Sequence, residues 1–231
     1  MKIISIIPAR GGSKSIPKKN LIDFMGKPLI AQTIEQSLST SMINRTIVST
    51  DCQEIAGVAK KHGAEIFKRP DSISGDEAST ESAMMHVLNT LKEKENYIPE
   101  IVVLLQATSP LRKNNDIKNA INYFINNKGD SLISGTQFED FLFWEKNNKD
   151  WLAVNYNPQN RMRRQDRKPQ FVENGSIYMF KPDILYKFNN RIGGKMLLFQ
   201  MEFWQTWEID TIDEVDLVEL YIDIKRLNNF G

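Results

Sequence analysis

Short apolar runs rich in β-branched residues alternate along the chain with longer segments whose apolar positions recur every three or four residues. The first run, KIISII at 2–7, closes on Pro8 and has the pattern of a strand buried on both faces. Similar runs stand at 45–50 (RTIVST), 64–69 (AEIFKR), 100–106 (EIVVLLQ) and 130–138 (DSLISGTQF). Helical patterns lie between them. Residues 28–39 put Leu29, Ile30, Ile34 and Leu38 on one side, and 79–94 carry Met84, Val87, Leu88 and Leu91 as a stripe. Residues 51–63 and 115–127 read as two further helices, the first with Asp51 as N-cap and Gly63 at its C-terminal end.

This alternation predicts right-handed βαβ units, and hence an α/β fold with a mostly parallel sheet and helices on both faces. Such sheets bind ligands at the C-terminal ends of their strands. The segments at 8–20, 69–80 and 106–112 all fall at such ends, so chemistry carried on them converges in space. After 138 the pattern changes. Residues 141–160 are polar and aromatic with no crossover helix, which predicts an antiparallel hairpin projecting from the sheet. Apolar stretches at 176–180 and 195–201 and a helix over 213–227 return to the core.

Composition bounds the partners. The chain has 231 residues, 41% of them apolar, with 30 Lys+Arg against 29 Asp+Glu and a net charge of +1. So even a balance argues against a nucleic-acid partner. No stretch approaches the roughly 20 apolar residues of a membrane span, and MKIISII is too short for a signal-peptide core. No membrane partner is expected, and a cytoplasmic location is. Cys52 is the only cysteine, which rules out an intrachain disulfide and suits a reducing compartment. Cys52, His62 and His86 have no partner pattern and read as structural.

The charges are not evenly spread. IIPARGGSKSIPKKN, residues 6–20, sets Arg10, Lys14, Lys18 and Lys19 in a turn without an acid, directly after the first strand. Gly11 and Gly12 let backbone N–H groups approach phosphate oxygens, while Arg10 and Lys14 can neutralise charge. The spacing is neither GxGxxG nor GxxxxGK[ST]. On these residues alone a polyphosphate loop and a solvated turn both stay open. EID at 208–210 puts Glu208 and Asp210 on one side of an extended segment, which suits Mg²⁺ sharing its shell with phosphates and waters. The acidic start of the following helix is the alternative. RMRRQDRK at 161–168 holds five cations and one acid, and by itself reads as a solvated basic turn.

The turn IPARGGSK-x-IPKKN, with IVSTD (47–51), RPDSIS-DEAS (69–79), LLQATSPLR (104–112), ENGSIY (173–178) and EIDTIDEVDL (208–217), resembles the signature blocks of the acylneuraminate cytidylyltransferases, in order and at family spacing. That family makes CMP-activated nonulosonic acids. The resemblance implies a Rossmann-like sheet of the nucleotide-diphospho-sugar transferase type. It implies one cytidylyltransferase domain over 1–231, with 138–170 as an inserted excursion that forms a homodimer. The implied reaction is Mg²⁺-dependent, with CTP and a nine-carbon sugar acid as substrates.

The resemblance also assigns residues. Nucleotide contacts fall on Ala9, Arg10, Gly11, Gly12, Ser13, Lys14, Lys19 and Asn20 of the turn, and on Arg69 and Thr80. Arg69 has a structural salt bridge as its alternative, and Thr80 a helix cap. Gln106, Tyr178 and Arg164 are implied at the sugar, with Arg163 as alternate for Arg164 and with the site its own or the partner's. Arg10, Lys14 and Asp210 are implied in catalysis, and Glu208 with Asp210 at the metal. Three positions depart from the family pattern. Ser15 replaces a usual Gly, Glu208 replaces an Asp, and Trp144 stands where one branch has a lysine toward the sugar. A 3-deoxy-octulosonate cytidylyltransferase, a metal-dependent glycosyltransferase and a non-catalytic nucleotide-binding module are the competing expectations.

Overall fold

The structure, a computed structural model, describes residues 1–13, 15–75, 77–138 and 141–228, with side chains through 225. Strand β1 (Ile3–Pro8) leads into a loop with two short paired strands, β2 (Asp23–Phe24) and β3 (Lys27–Pro28), and then α1 (Leu29–Leu38). There follow β4 (Arg45–Thr50), α2 (Gln53–Lys61), β5 (Glu65–Lys68), α3 (Thr80–Glu95), β6 (Ile101–Leu105), α4 (Asp116–Asn126) and β7 (Ser131–Phe138). The remainder comprises β8 (Trp144–Asn147), β9 (Asp150–Ala153), β10 (Gln170–Phe180), α5 (Pro182–Phe188), β11 (Met196–Met201) and α6 (Ile212–Asn228). No helix among the described residues is long and apolar enough to cross a membrane.

The main sheet has the order β11-β7-β10-β6-β1-β4-β5. The pairs β1–β4, β1–β6, β4–β5 and β7–β11 are parallel, and β10 runs antiparallel to both β6 and β7. Strand alternation divides the core. Ile3, Ile7, Val48, Val103 and Leu105 face α1, α2 and α4, where they meet Ile30, Ile34, Ile55 and Phe124. Ile4, Ile6, Ile47, Val102 and Leu104 face the opposite way, onto Met84, Val87, Leu88 and Leu91 of α3 and Leu185 of α5. The α3 stripe read from spacing is therefore the buried one. Residues 141–160 form the predicted hairpin, whose strands β8 and β9 pair only with each other.

Three local expectations change. Helix α5 has no counterpart in the pattern reading, because a seven-residue helix is too short for its periodicity to stand out. Strand β10 begins at Gln170 rather than at 176, since its polar first half is recruited by pairing with β7 and not by apolar content. Asp51 does not cap α2. Cys52 occupies the capping position without a side-chain bond, and the Asp51 carboxylate instead accepts from Gly11 N–H at 2.9 Å.

A third cluster brings the C-terminal segment to the first loop. Ile209 is fully buried and packs with Ile16, Phe24, Leu29, Leu111 and Val218. Burying such a side chain is worth roughly 1.5–3 kcal/mol. Ile209 N–H donates to the Thr108 carbonyl at 2.8 Å, and Met25 N–H donates to Glu219 at 2.8 Å. With Ile209 turned inward, its neighbours Glu208 and Asp210 point the other way, toward the strand ends.

Candidate active site

The loop after β1 is shaped by its own hydrogen bonds. Ala9 N–H donates to the Ser49 carbonyl at 2.9 Å, which continues the sheet one residue past the strand. Two residues on, Gly11 N–H is taken by Asp51. A Cβ at Gly11 would lie 2.8 Å from Cys52 Cβ, so a side chain there has no room against α2. Gly12 has open space around it. Asn20 Nδ2 donates to the Arg10 carbonyl at 3.2 Å and folds the loop back on itself. The backbone turns left-handed at Lys18, with φ of 53°. Lys18 Nζ reaches out to Glu54 at 2.7 Å. Lys14 lies outside the described residues.

A cleft of about 480 Å³ opens where these loops meet at the strand ends. Its lining includes Arg10, Gly12, Ser13, Lys19, Asn20, Arg69, Thr80, Gln106 and Asp210, together with Pro8, Ala78, Ser79, Ala107 and Thr108. Most of the residues assigned from the resemblance thus converge on one cavity. Arg10 Nη1 donates to the Gly75 carbonyl at 3.3 Å and spans the cleft wall. Arg69 is 5% exposed and donates to the Ser49 carbonyl at 2.8 Å rather than to a carboxylate. Burial lowers its pKa, with Asp51 opposing and Arg10 adding to the effect. Thr80 does not cap α3; Ser79 does, accepting from Ser82 N–H at 3.1 Å, which leaves Thr80 on the cleft. Ala9 and Gly11 line no part of it, because one is core and the other is turned to Asp51.

Asp210 supplies the acidic group of the lining, with Glu208 two residues before it and not part of that lining. Lys19 Nζ pairs with Asp210 Oδ1 at 2.6 Å. The Glu208 carboxyl is pushed up to about 7, first by burial and then by the Asp210 charge, with Lys19 and Arg112 opposing. Two neighbouring carboxylates, one of them half-buried, form a place where a hard cation is favoured. Among the described residues no group of three His, Cys, Asp or Glu is assembled for a metal. A Mg²⁺ ion here would take two protein carboxylates and complete its shell with phosphate and water, the usual division for that ion.

One residue of this region was not recognised from the sequence. Arg112 ends the LLQATSPLR block and is 7% exposed. Its guanidinium donates to the Gln106 carbonyl at 2.8 Å, the Ser176 carbonyl at 2.6 Å, Gln36 Oε1 at 3.0 Å and Thr33 Oγ1 at 3.2 Å. Burial pushes its pKa down to about 9, so the group stays charged at neutral pH. It ties the loop after β6 to β10 and α1 from beneath the cleft. The only trace in the sequence was an arginine closing an otherwise uncharged loop.

The remaining sugar candidates lie apart from the cleft. Tyr178 is 4% exposed, its ring is part of the α3-side core, and its hydroxyl donates to Glu173 Oε1 at 2.5 Å. The Arg191 guanidinium sits 4.3 Å over the same ring and pairs with Glu81 at 2.5 Å. Arg164 lies in a short 3₁₀ turn and lines two other hollows, of about 320 and 460 Å³, beside Gln137 and Phe141. Arg163 is paired with Asp166 at 2.8 Å. Among the described residues, the two hollows that Arg164 lines do not include Gln106.

The hairpin side of the molecule is aromatic. Phe138 stacks on Phe141 with centroids 4.1 Å apart and on Phe143 at 5.5 Å. Phe141, Phe143, Trp144, Trp151 and Leu152 are each about half exposed. Trp144 meets Tyr156 edge-on at 5.7 Å and does not approach the cleft.

A family model described as "Cytidylyltransferase" matches residues 4–230. Pseudaminic acid cytidylyltransferase of Campylobacter jejuni is 32% identical over 241 residues, covering 100% of both chains. N-acylneuraminate cytidylyltransferase A of Danio rerio is 33% identical over 235 residues, covering 99% of this chain and 52% of that protein. Among solved structures, CMP:2-keto-3-deoxy-manno-octonic acid synthetase complexed with CTP superposes with a TM-score of 0.73 at 17% identity, covering 97% of this chain and 100% of the other. That last likeness shows a shared fold.

Proposed function

The chain belongs to the acylneuraminate cytidylyltransferase family, and from that membership we propose that it transfers CMP from CTP to the anomeric hydroxyl of a nonulosonic acid. The hydroxyl oxygen attacks the α-phosphorus, the bond from that phosphorus to the oxygen bridging to the β-phosphate breaks, and pyrophosphate leaves. The carrying observation is the cleft itself. Arg10 and Arg69 line a cavity at the C-terminal strand ends together with the paired Lys19 and Asp210, which gives a triphosphate both cations and an acidic group. Transfer of this kind depends on positioning and charge stabilisation more than on covalent help from the protein.

Glu208 and Asp210 are the residues that would hold Mg²⁺. When bound, Mg²⁺ supplies charge neutralisation at the triphosphate. Arg10 and Lys19 hold the phosphates against the open backbone of Gly12, and Lys14 is assigned beside them from the sequence. In this reading Thr80 and Arg69, which line the cleft, contact the nucleoside, and Gln106, also in the lining, contacts the sugar. Arg112 keeps the Gln106 main chain in register with β10.

The 138–170 excursion forms a homodimer in this reading. Half-exposed Phe141, Phe143, Trp144 and Trp151 support it, because so much contiguous apolar surface is unfavourable in water. A two-fold arrangement also gives Arg164 a task, since it lies away from its own Gln106. In the dimer it binds the sugar carboxylate in the partner's cleft, where a guanidinium can donate two parallel hydrogen bonds. The free Cys52 fits a reducing, cytoplasmic setting.

The deciding experiment is pyrophosphate release from CTP with a panel of sugar acids: pseudaminate, legionaminate, N-acetylneuraminate, its deaminated analogue and 3-deoxy-octulosonate. The end-to-end match to a pseudaminic acid enzyme makes pseudaminate the first acid to test. Release with at least one nine-carbon acid is expected. Release only with the eight-carbon acid, or with none, overturns the reading.

A further inference from the structure

Strand β10 leaves the β7 ladder between Glu173 and Tyr178. The bulge is held from within. Asn174 Oδ1 accepts from Ser134 Oγ at 2.6 Å and from Ser176 N–H at 3.3 Å, and Ser134 Oγ accepts from Ile177 N–H at 2.8 Å. Asn174 Nδ2 donates to the Gln205 carbonyl at 3.2 Å, which joins the bulge to the segment leading to residue 208. At the turn of the bulge stands Gly175, with φ of 62°.

The Glu208 carboxylate occupies the place where a side chain at 175 would be. A Cβ built on Gly175 comes 2.7 Å from Glu208 Cδ and 3.0 Å from Oε2, with Oε1 nearer still. Among the described residues no hydrogen bond or ion pair fixes that carboxylate. The bare backbone of Gly175 lies against it, and the charges of Asp210, Lys19 and Arg112 act on it from further away. The backbone under it is pinned by Asn174 and Ser134, whereas the carboxylate is the free end of a flexible chain. A methyl group at 175 therefore meets the carboxylate, in addition to the strain that any side chain carries at φ of 62°.

We propose that Gly175 is a positioning residue for the reaction, a seat without a side chain that keeps the Glu208 carboxylate beside Asp210. The proposal rests on the reading that this acidic pair holds a divalent cation. It also accounts for a glutamate at 208. The extra methylene carries the carboxylate far enough to lie over the bulge, and only glycine at 175 leaves that space.

The test is a cycle of Gly175→Ala, Glu208→Asp and the double variant, with Gly194→Ala as control. Gly194 has the same φ of 62° but meets Asp130 instead, so it reports backbone strain without Glu208. Mn²⁺ binding, read from the electron paramagnetic resonance of the free ion, should weaken at least tenfold in Gly175→Ala and less than twofold in Gly194→Ala. In the double variant the shorter carboxylate clears the new methyl, and binding should return to within threefold of Glu208→Asp alone. Wild-type binding in Gly175→Ala, or a double variant as weak as the two losses multiplied, overturns the proposal.

A second readout separates the seat from the metal. Urea midpoints of the same four proteins in excess chelator should show the double variant more stable than the single losses add up to. That coupling without any Mn²⁺ binding by the wild type would sink the metal reading and leave the steric seat standing. Additive midpoints would sink the seat. If Gly175→Ala fails to fold, the seat predicts that the double variant folds; failure of both counts against it.

Discussion

Lys19 and Asp210, 191 positions apart in the chain, meet at 2.6 Å in the lining of the cleft. Lys19 is nearly buried while Asp210 is mostly exposed. The pair joins the basic loop to the acidic segment, and its exposed partner leaves it worth little to stability, about 1 kcal/mol or less. In the proposed reaction it sets a cation and an anion side by side in the cleft that the triphosphate would enter.

Asp210→Asn should therefore separate activity from stability. Turnover should fall at least about 100-fold, the scale for losing a charge at a transferring phosphoryl group. The thermal midpoint should move by no more than about 3 °C. Pyrophosphate release and differential scanning calorimetry on the same sample check this; a large drop in midpoint would make Asp210 a structural residue.

Chelation gives an independent check on the acidic pair. Excess EDTA should abolish CMP transfer, and added Mg²⁺ should restore it, because two carboxylates and a triphosphate form a hard-oxygen site. Full activity in chelator would remove the metal from the mechanism.

Arg10→Ala should lower kcat/KM for CTP at least about tenfold, in line with one charge-assisted phosphate contact. The effect should shrink when CTP is replaced by a nucleotide with fewer phosphates as a competitive ligand, since the contact is to the phosphate chain. Equal weakening for CTP and for cytidine would place Arg10 at the base or ribose instead.

Arg164 and Asp210 can be tested against each other. Arg164→Ala and Asp210→Asn should each be nearly inactive alone. Mixed, denatured and refolded together, they should regain roughly a quarter of wild-type activity, because half of the dimers then carry one intact site. No regain, with the dimer present by sedimentation, would put Arg164 in the service of its own chain. A monomer at micromolar concentration would remove the dimer altogether.

Arg112→Ala should cost about 3 kcal/mol or more in urea unfolding, because the carbonyls of Gln106 and Ser176 lose a buried charged donor. The sugar-acid KM should rise with it, as Gln106 is released from β10. A variant as stable as wild type would mean that water replaces the guanidinium without loss.

The elements and the layer arrangement were legible in the sequence because both are local. A buried parallel strand is a run of apolar residues, a packed helix is a stripe, and the alternation of the two leaves few topologies open. The basic turn after β1 was legible for the same reason: four cations without an acid is a property of fifteen adjacent residues. What the residues there do was decided elsewhere. Gly11 N–H goes to Asp51 rather than remaining open, because β4 ends beside β1 in the sheet. Glu208 lies on Gly175 because the β10 bulge and the Ile209 anchor bring two distant segments within van der Waals contact. Arg112 is buried under the cleft because β6, β10 and α1 meet there. None of these contacts leaves a periodicity or a spacing, since each is a distance between segments that the chain order keeps far apart. The sequence determined the parts of the site; the packing of Ile209, the bulge at Gly175 and the sheet order determined how those parts face one another.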